Sequence, residues 1–260
     1  MIRLFDTHAH LNDDEVFPRV DEILSRAQDA GVRRIVVPGY DYDSCLRALD
    51  LAARYPHVRA AVGFHPNDAE SVKDGHLAEL ESWCALDAVV AVGEIGLDYH
   101  YDVARDMQDQ LLRDQVRLAR RVQKPVVIHD RDAHEDIVRV LAQEQVGDAG
   151  GIMHCFSGSV EMMHQCLKLG LYISLGGPVT FKNAKRPVAV AVEVPAERLL
   201  IETDTPWLAP HPYRGKPNEP AYVHLVAETI AVARGQPVEA IAELTWDNAC
   251  RLFAWERDEP

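Results

Sequence analysis

Eight apolar, β-branched runs of strand length punctuate this chain, at residues 3–8, 34–38, 58–63, 89–93, 125–129, 151–154, 171–175 and 199–202. Stretches with helical spacing lie between them. Val20, Ile23, Leu24 and Ala27 share one helical face, and Gly31 follows as a stop. Leu111, Leu112, Gln115, Leu118 and Ala119 repeat the pattern before Pro125. Ile137, Val138 and Leu141 do so before Gly147, and Met162, Met163, Cys166 and Leu169 before Gly170. Two more helices are predicted over 221–234 and 238–255. Such alternation implies parallel strands joined by right-handed crossovers. Eight units in 260 residues predict an α/β fold, a (β/α)8 TIM barrel filling residues 1–260 as a single domain. A doubly wound open sheet is the competing fold. It would gather ligands at one switch point, whereas the polar residues here end several different strands.

Hydrophobic residues make up 47% of the chain, ample for one large core. No apolar run approaches the roughly 18 residues of a membrane span, and the opening residues lack the pattern of a signal peptide. Five cysteines without a C-x-x-C pair argue against a disulfide framework or a thiolate zinc site. A reducing, cytoplasmic setting is the expectation. The net charge of −14 excludes a broad grip on duplex nucleic acid. It leaves room for an enzyme that handles a strand end, because metal ions and a few basic loops supply positive field locally. Nothing signals an obligate protein partner.

The polar residues that end the strands carry the chemistry. His8 and His10 stand two apart at the end of the first run, on one face of a strand. Glu94, His129, His154 and Asp204 end the fourth, fifth, sixth and eighth. In a barrel these ends converge on one mouth. Four imidazoles and two carboxylates exceed what one tetrahedral ion needs, and suit two divalent ions sharing a carboxylate. Glu94 is the natural bridge. His8, His10, Glu94 and Asp204 are assigned to one ion, and Glu94, His129 and His154 to the other. The donors suit zinc and manganese, and magnesium less well. Asp6, two residues before His8, is placed to orient an imidazole, and Glu202 to support Asp204 from behind. Cys155 is expected to point away from the site as a packing residue.

These residues sit in ordered motifs: Asp6-Thr7-His8-Ala9-His10-Leu11, Gly63-Phe64-His65-Pro66, Gly93-Glu94-Ile95-Gly96-Leu97-Asp98-Tyr99, Ile128-His129-Asp130-Arg131, His154-Cys155-Phe156-Ser157-Gly158 and Glu202-Thr203-Asp204-Thr205-Pro206. The set resembles the TatD-type metal-dependent DNase family of the metallo-dependent hydrolase barrels. The likeness continues through Arg214-Gly215-Lys216-Pro217-Asn218-Glu219-Pro220 into the last helix. The resemblance implies His8, His10, Glu94, His129, His154 and Asp204 as metal ligands, and magnesium-supported nuclease activity. It also implies Asp204 as the general base, since related barrels place there a carboxylate that takes the proton of the attacking water. Trp207 and the loop His100-Tyr101-Asp102 depart from the family pattern.

For the substrate, loops after strands 7 and 8 are a frequent phosphate site in this fold. Lys182, Lys185 and Arg186 follow strand 7, and Arg214 and Lys216 follow strand 8. Arg131, Ser157 and His65 are further candidates for holding phosphate, Arg131 and Arg214 through bidentate guanidinium contacts. Phe156, Phe181, Trp207 and Tyr213 are candidates for stacking a base. The expectation is a metal-dependent deoxyribonuclease acting on strand ends or single strands, with DNA or another phosphodiester as partner. An amide or ester hydrolase, such as an aminoacyl-tRNA deacylase, is the alternative, because the same dinuclear chemistry attacks carbonyl carbon. A barrel that holds metal only as a scaffold would leave the six ligands and the base idle.

Overall fold

A computed structural model describes residues 2–256. Eight parallel strands form one sheet in sequence order: β1 Leu4–Asp6, β2 Val32–Pro38, β3 Val58–Val62, β4 Val89–Asp98, β5 Val126–Arg131, β6 Gly151–Met153, β7 Leu171–Leu175 and β8 Leu199–Ile201. The barrel closes where Thr7 N donates to Ile201 O at 3.2 Å and Asp204 N to His8 O at 2.9 Å. Helices alternate with the strands: α1 Val20–Asp29, α2 Tyr42–Arg54, α3 His76–Trp83, α4 Arg105–Val122, α5 His134–Gln143, α6 Val160–Lys168, α7 Lys185–Glu193 and α8 Val223–Arg234. A last helix, α9 Val238–Leu252, follows. This is a (β/α)8 TIM barrel. Among the described residues no helix is long and apolar enough to cross a membrane.

Six of these helices are those that the spacing predicts. The other three carry weaker patterns. The buried stripe of α2 is built largely from the small residues Ser44, Cys45, Ala48 and Ala52, α3 buries only Leu80, and α7 only Val190 and Ala191. Helix α9 stops at Leu252, short of the expected 255, and Trp255 meets Phe5 edge-on at 5.4 Å.

Buried apolar residues divide into two bodies, as expected for strands covered on both faces. The larger joins the outer faces of the strands to the helices. The smaller fills the barrel with Phe5, Val36, Ala61, Val127, Ile152 and Leu200, plugged from below by Trp246 and Phe253. Side chains alternate along a strand, so the inward series Val127–His129, Ile152–His154 and Leu200–Glu202–Asp204 runs from core to site. The core thus sets the height and direction at which the polar residues emerge.

Candidate metal centre

The histidine pair lies just beyond β1 rather than on it, because that strand ends at Asp6. Asp6 works through the backbone. Its Oδ1 accepts from the amides of His8 (3.2 Å) and Thr203 (3.0 Å), and its Oδ2 from the Thr203 hydroxyl (2.6 Å). This clamp ties the end of β1 to the end of β8. With His10 N donating to Thr205 O at 2.8 Å, it brings Asp204 beside the pair despite their separation in sequence. Asp204 itself has φ 61, a left-handed conformation that aspartate tolerates better than most residues.

Glu94 comes from β4, which runs to Asp98, five residues past the expected end at Gly93. Two glycines allow this. A Cβ on Gly93 would lie 2.6 Å from Val127 Cβ, and one on Gly96 would lie 2.0 Å from the His129 carbonyl oxygen. Without side chains there, β4 packs hard against β5 and presents Glu94 to His129.

The carboxylate of Glu94 faces two donor sets, one with each oxygen. Oε2 lies 3.4 Å from His8 Nε2 and 3.2 Å from His10 Nε2. Those two nitrogens are 2.9 Å apart, and Asp204 Oδ1 is 3.7 and 3.6 Å from them. Oε1 lies 2.8 Å from His154 Nε2 and 2.9 Å from His129 Nδ1. Every one of these side chains except that of His129 is nearly or fully buried.

The protonation pattern fits cation binding. Burial and the neighbouring His154 push His8 down to about 4, so its ring is neutral near neutral pH. The Nδ1 atoms of His8 and His10 are buried without a hydrogen-bond partner, so neither ring is held by a strong local acceptor on its far side. In the second set the far nitrogens are held. His129 Nε2 meets Asp98 Oδ2 at 3.1 Å, and His154 Nδ1 meets Glu202 Oε1 at 3.3 Å. Each carboxylate orients its imidazole so that the other nitrogen faces Glu94 Oε1. Against the cost of burial, Glu94 and Glu202 favour the protonated form of His154, and Asp98 and Glu94 that of His129, raising both; a bound cation would replace the proton that faces Glu94. Burial alone would raise Glu94, but the neighbouring imidazoles, His154 first, hold it well below the usual carboxylate range. Burial pushes Asp204 up to about 6. His8, His10 and Asp204 thus form one group that could hold a metal ion, and Glu94, His129 and His154 another.

His65, Asp98 and His129 also lie close together. Here the tautomers argue against a third ion. His65 Nδ1 accepts from Asn67 N at 3.1 Å, so its Nε2 carries the proton. His129 Nε2 is likewise committed to Asp98. His65 is therefore a hydrogen-bond donor, aimed at Glu94 Oε1 from 3.7 Å, and burial with His129 nearby pushes it down to about 3.

Above the donors opens a cavity of about 900 Å³. His10, His65, Glu94, His129, His154 and Asp204 line it, with Arg131, Ser157, Arg186, Tyr101 and Trp207 around them. Arg214 does not line it; its guanidinium lies 4.4 Å above the Phe181 ring. Of the described basic residues after β7 and β8, only Arg186 reaches the cavity. Cys155 is a correction. It sits in the turn after β6 with φ 41 and lines the cavity, instead of packing away from it. Burial, with Asp204 nearby, holds its thiol well above the usual value, so it is not poised as a nucleophile. Asp98 was missed by sequence reasoning, although its place four residues after Glu94 on one strand puts both on the same face.

Comparison with known proteins agrees with this geometry. Residues 5–254 match the family model described as TatD related DNase. An uncharacterized metal-dependent hydrolase of Bacillus subtilis, YabD, is 49% identical over 251 residues, covering 96% of this chain and 98% of that protein. The 3'-5' ssDNA/RNA exonuclease TatD of Edwardsiella piscicida is 34% identical, covering 96% and 99%. Among solved structures, the TatD homologue YjjV of Escherichia coli superimposes with a TM-score of 0.93 at 33% identity, covering 98% and 99% of the two chains. Family model, relatives and barrel agree, and the chain belongs to the TatD-related DNase family of metal-dependent hydrolases.

Proposed function

We propose that this protein is a phosphodiesterase that binds two divalent ions and cleaves DNA, or a similar single-stranded nucleic acid, from a strand end. One observation carries the reading. Glu94 presents a separate oxygen to each of two donor sets at the floor of an open cavity. His8, His10, Glu94 and Asp204 would hold one ion, and Glu94, His129 and His154 the other. Such a pair would supply a Lewis acid for a phosphoryl oxygen and would lower the pKa of a water. The imidazole-rich donors favour zinc or manganese.

The remaining chemistry falls to the chain's own side chains. Asp204 lines the cavity beside His10, which places its carboxylate to accept a proton from a water there. It takes the proton of the attacking water. His65, with its proton on Nε2, donates to a phosphoryl oxygen. Arg131 and Ser157 hold the flanking phosphate from the wall. Arg214, outside the cavity, meets the strand where it leaves the mouth. Asp6 acts from below by clamping β1 to β8, and Glu202 by orienting His154. The name of the Edwardsiella relative supports single strands as the substrate class.

Purified protein with Mg²⁺, Mn²⁺ or Zn²⁺ tests the reading on single-stranded DNA labelled at each end, then on charged tRNA and simple amides. Release of nucleotides from one end is the expected result, abolished by Asp204→Asn. Turnover of an ester or amide without nucleotide release would replace the nuclease with a deacylase or amidohydrolase.

A further inference from the structure

We infer that the mouth carries a second base-stacking subsite at Tyr101, opposite Trp207, so that a single strand is gripped on both sides of the bond to be cut. The inference rests on the phosphodiesterase reading. Trp207 follows β8, and Tyr101 follows β4. In a closed eight-stranded barrel those two strands are diametrically opposed, and Glu94 with His10, His129 and His154 lines the same cavity as the two rings. Both rings line the cavity, and both are open to solvent, Trp207 at 47% and Tyr101 at 54% exposure. By contrast Phe5, Phe64 and Trp246 are at most 1% exposed. Two large rings left half bare at the rim of the cavity are not core residues.

The surroundings of each ring favour a nucleotide. Trp207 stands edge-on to the His10 imidazole, with centroids 5.0 Å apart, next to the first donor set. Arg131, from the neighbouring strand β5, holds its guanidinium over one face of Tyr101, 5.5 Å from the ring centroid. A base stacked on the other face therefore has a cation close by for its phosphate. Charge alone cannot supply the grip. Among the described residues the cavity offers two arginines, Arg131 and Arg186, against Asp13, Asp68, Asp98 and Asp130 besides Glu94 and Asp204, in a chain of net charge −14. Stacking supplies affinity that tolerates any base, because every base has a π face. A base inside a duplex has both faces covered and cannot reach either ring. The substrate is accordingly unpaired on both sides of the scissile phosphate.

Steady-state kinetics on single-stranded octathymidylate and on methyl p-nitrophenyl phosphate, a phosphodiester without a base, test the subsite. Tyr101→Ala should raise KM for the octamer about tenfold and leave kcat nearly unchanged. The same variant should leave the small diester unaffected, and Tyr101→Phe should retain the wild-type KM. Combined with Trp207→Ala, the two losses should multiply to about a hundredfold, as for sites on opposite rims. An unchanged octamer KM in Tyr101→Ala, or an equal loss on both substrates, overturns the subsite and leaves the phosphodiesterase standing. Failure of the wild-type protein to hydrolyse either substrate with any of the three metals overturns the reading beneath it, and the subsite with it.

Discussion

Replacing Glu94 with glutamine should cost the protein both metal ions, where replacing any other ligand costs one. The glutamine keeps the shape and loses the charge. Its carbonyl oxygen can face only one donor set, without the charge that would hold an ion there, while its amide NH₂ would turn donors toward the other. The magnitude follows from linkage. An ion that binds only the folded state stabilises by about 2.7 kcal/mol when present at 100 times its Kd. Two such sites contribute about 5 kcal/mol. For a chain of this size each kcal/mol moves Tm by about 2–4 °C, so metal should raise Tm by about 10–20 °C. The assay is metal content by mass spectrometry after dialysis, paired with thermal melts across a zinc or manganese titration. Asp204→Asn should lose the ion at His8 and His10, and His129→Asn the one at His154, each keeping about half of the wild-type shift. Glu94→Gln should keep almost none of it. Retention of both ions by Glu94→Gln, or loss of the same single ion in Asp204→Asn and His129→Asn, would refute the shared-carboxylate argument.

Asp98→Asn should weaken only the second ion, by about 10–100-fold, because it releases the far nitrogen of His129; competition against a chelator measures this, and an effect on both ions would assign Asp98 a different role. Burial, together with Asp41, pushes Asp68 up to about 6. A carboxyl raised in this way costs nothing below its unfolded value near 4, and its cost is fully present above 6. Asp68→Asn should therefore gain stability over wild type as pH rises through that window, by about 1 kcal/mol once solvent screening at this half-buried site is allowed for. Urea melts at pH 4 and 8 check the sign, and a gain confined to low pH would contradict it. Phe5→Ala should cost about 3–5 kcal/mol, because Phe5 is fully buried between the barrel interior and Trp246 of α9; a chemical melt reads this directly.

Much of the architecture was legible in the linear pattern. Parallel strands covered on both faces leave continuous apolar runs, and eight of them separated by helical periods leave few other folds. The same pattern placed His8, His10, Glu94, His129, His154 and Asp204 at strand ends, which a barrel must bring to one mouth. Helices α2, α3 and α7 were harder to read because their buried stripes are short or made of small residues. Strand ends were blurred too. Nothing local announces that β4 runs on to Asp98, since that extension depends on the close approach of β5 to Gly93 and Gly96.

Residue types and their spacing determined which side chains could be ligands. Only the tertiary structure decided what each one does. His65 and His129 look alike in sequence, yet an amide from Asn67 turns one into a donor and a carboxylate from Asp98 turns the other to face Glu94. Asp6 was readable as a neighbour of His8, but its grip on Thr203 spans nearly the whole chain. Arg214 was the stronger candidate in sequence, yet the fold put it against Phe181 and Arg186 in the cavity. The physical reason is common to all three. A ligand's identity is carried by its own atoms, but its proton, its direction and its access to substrate are set by groups distant in sequence.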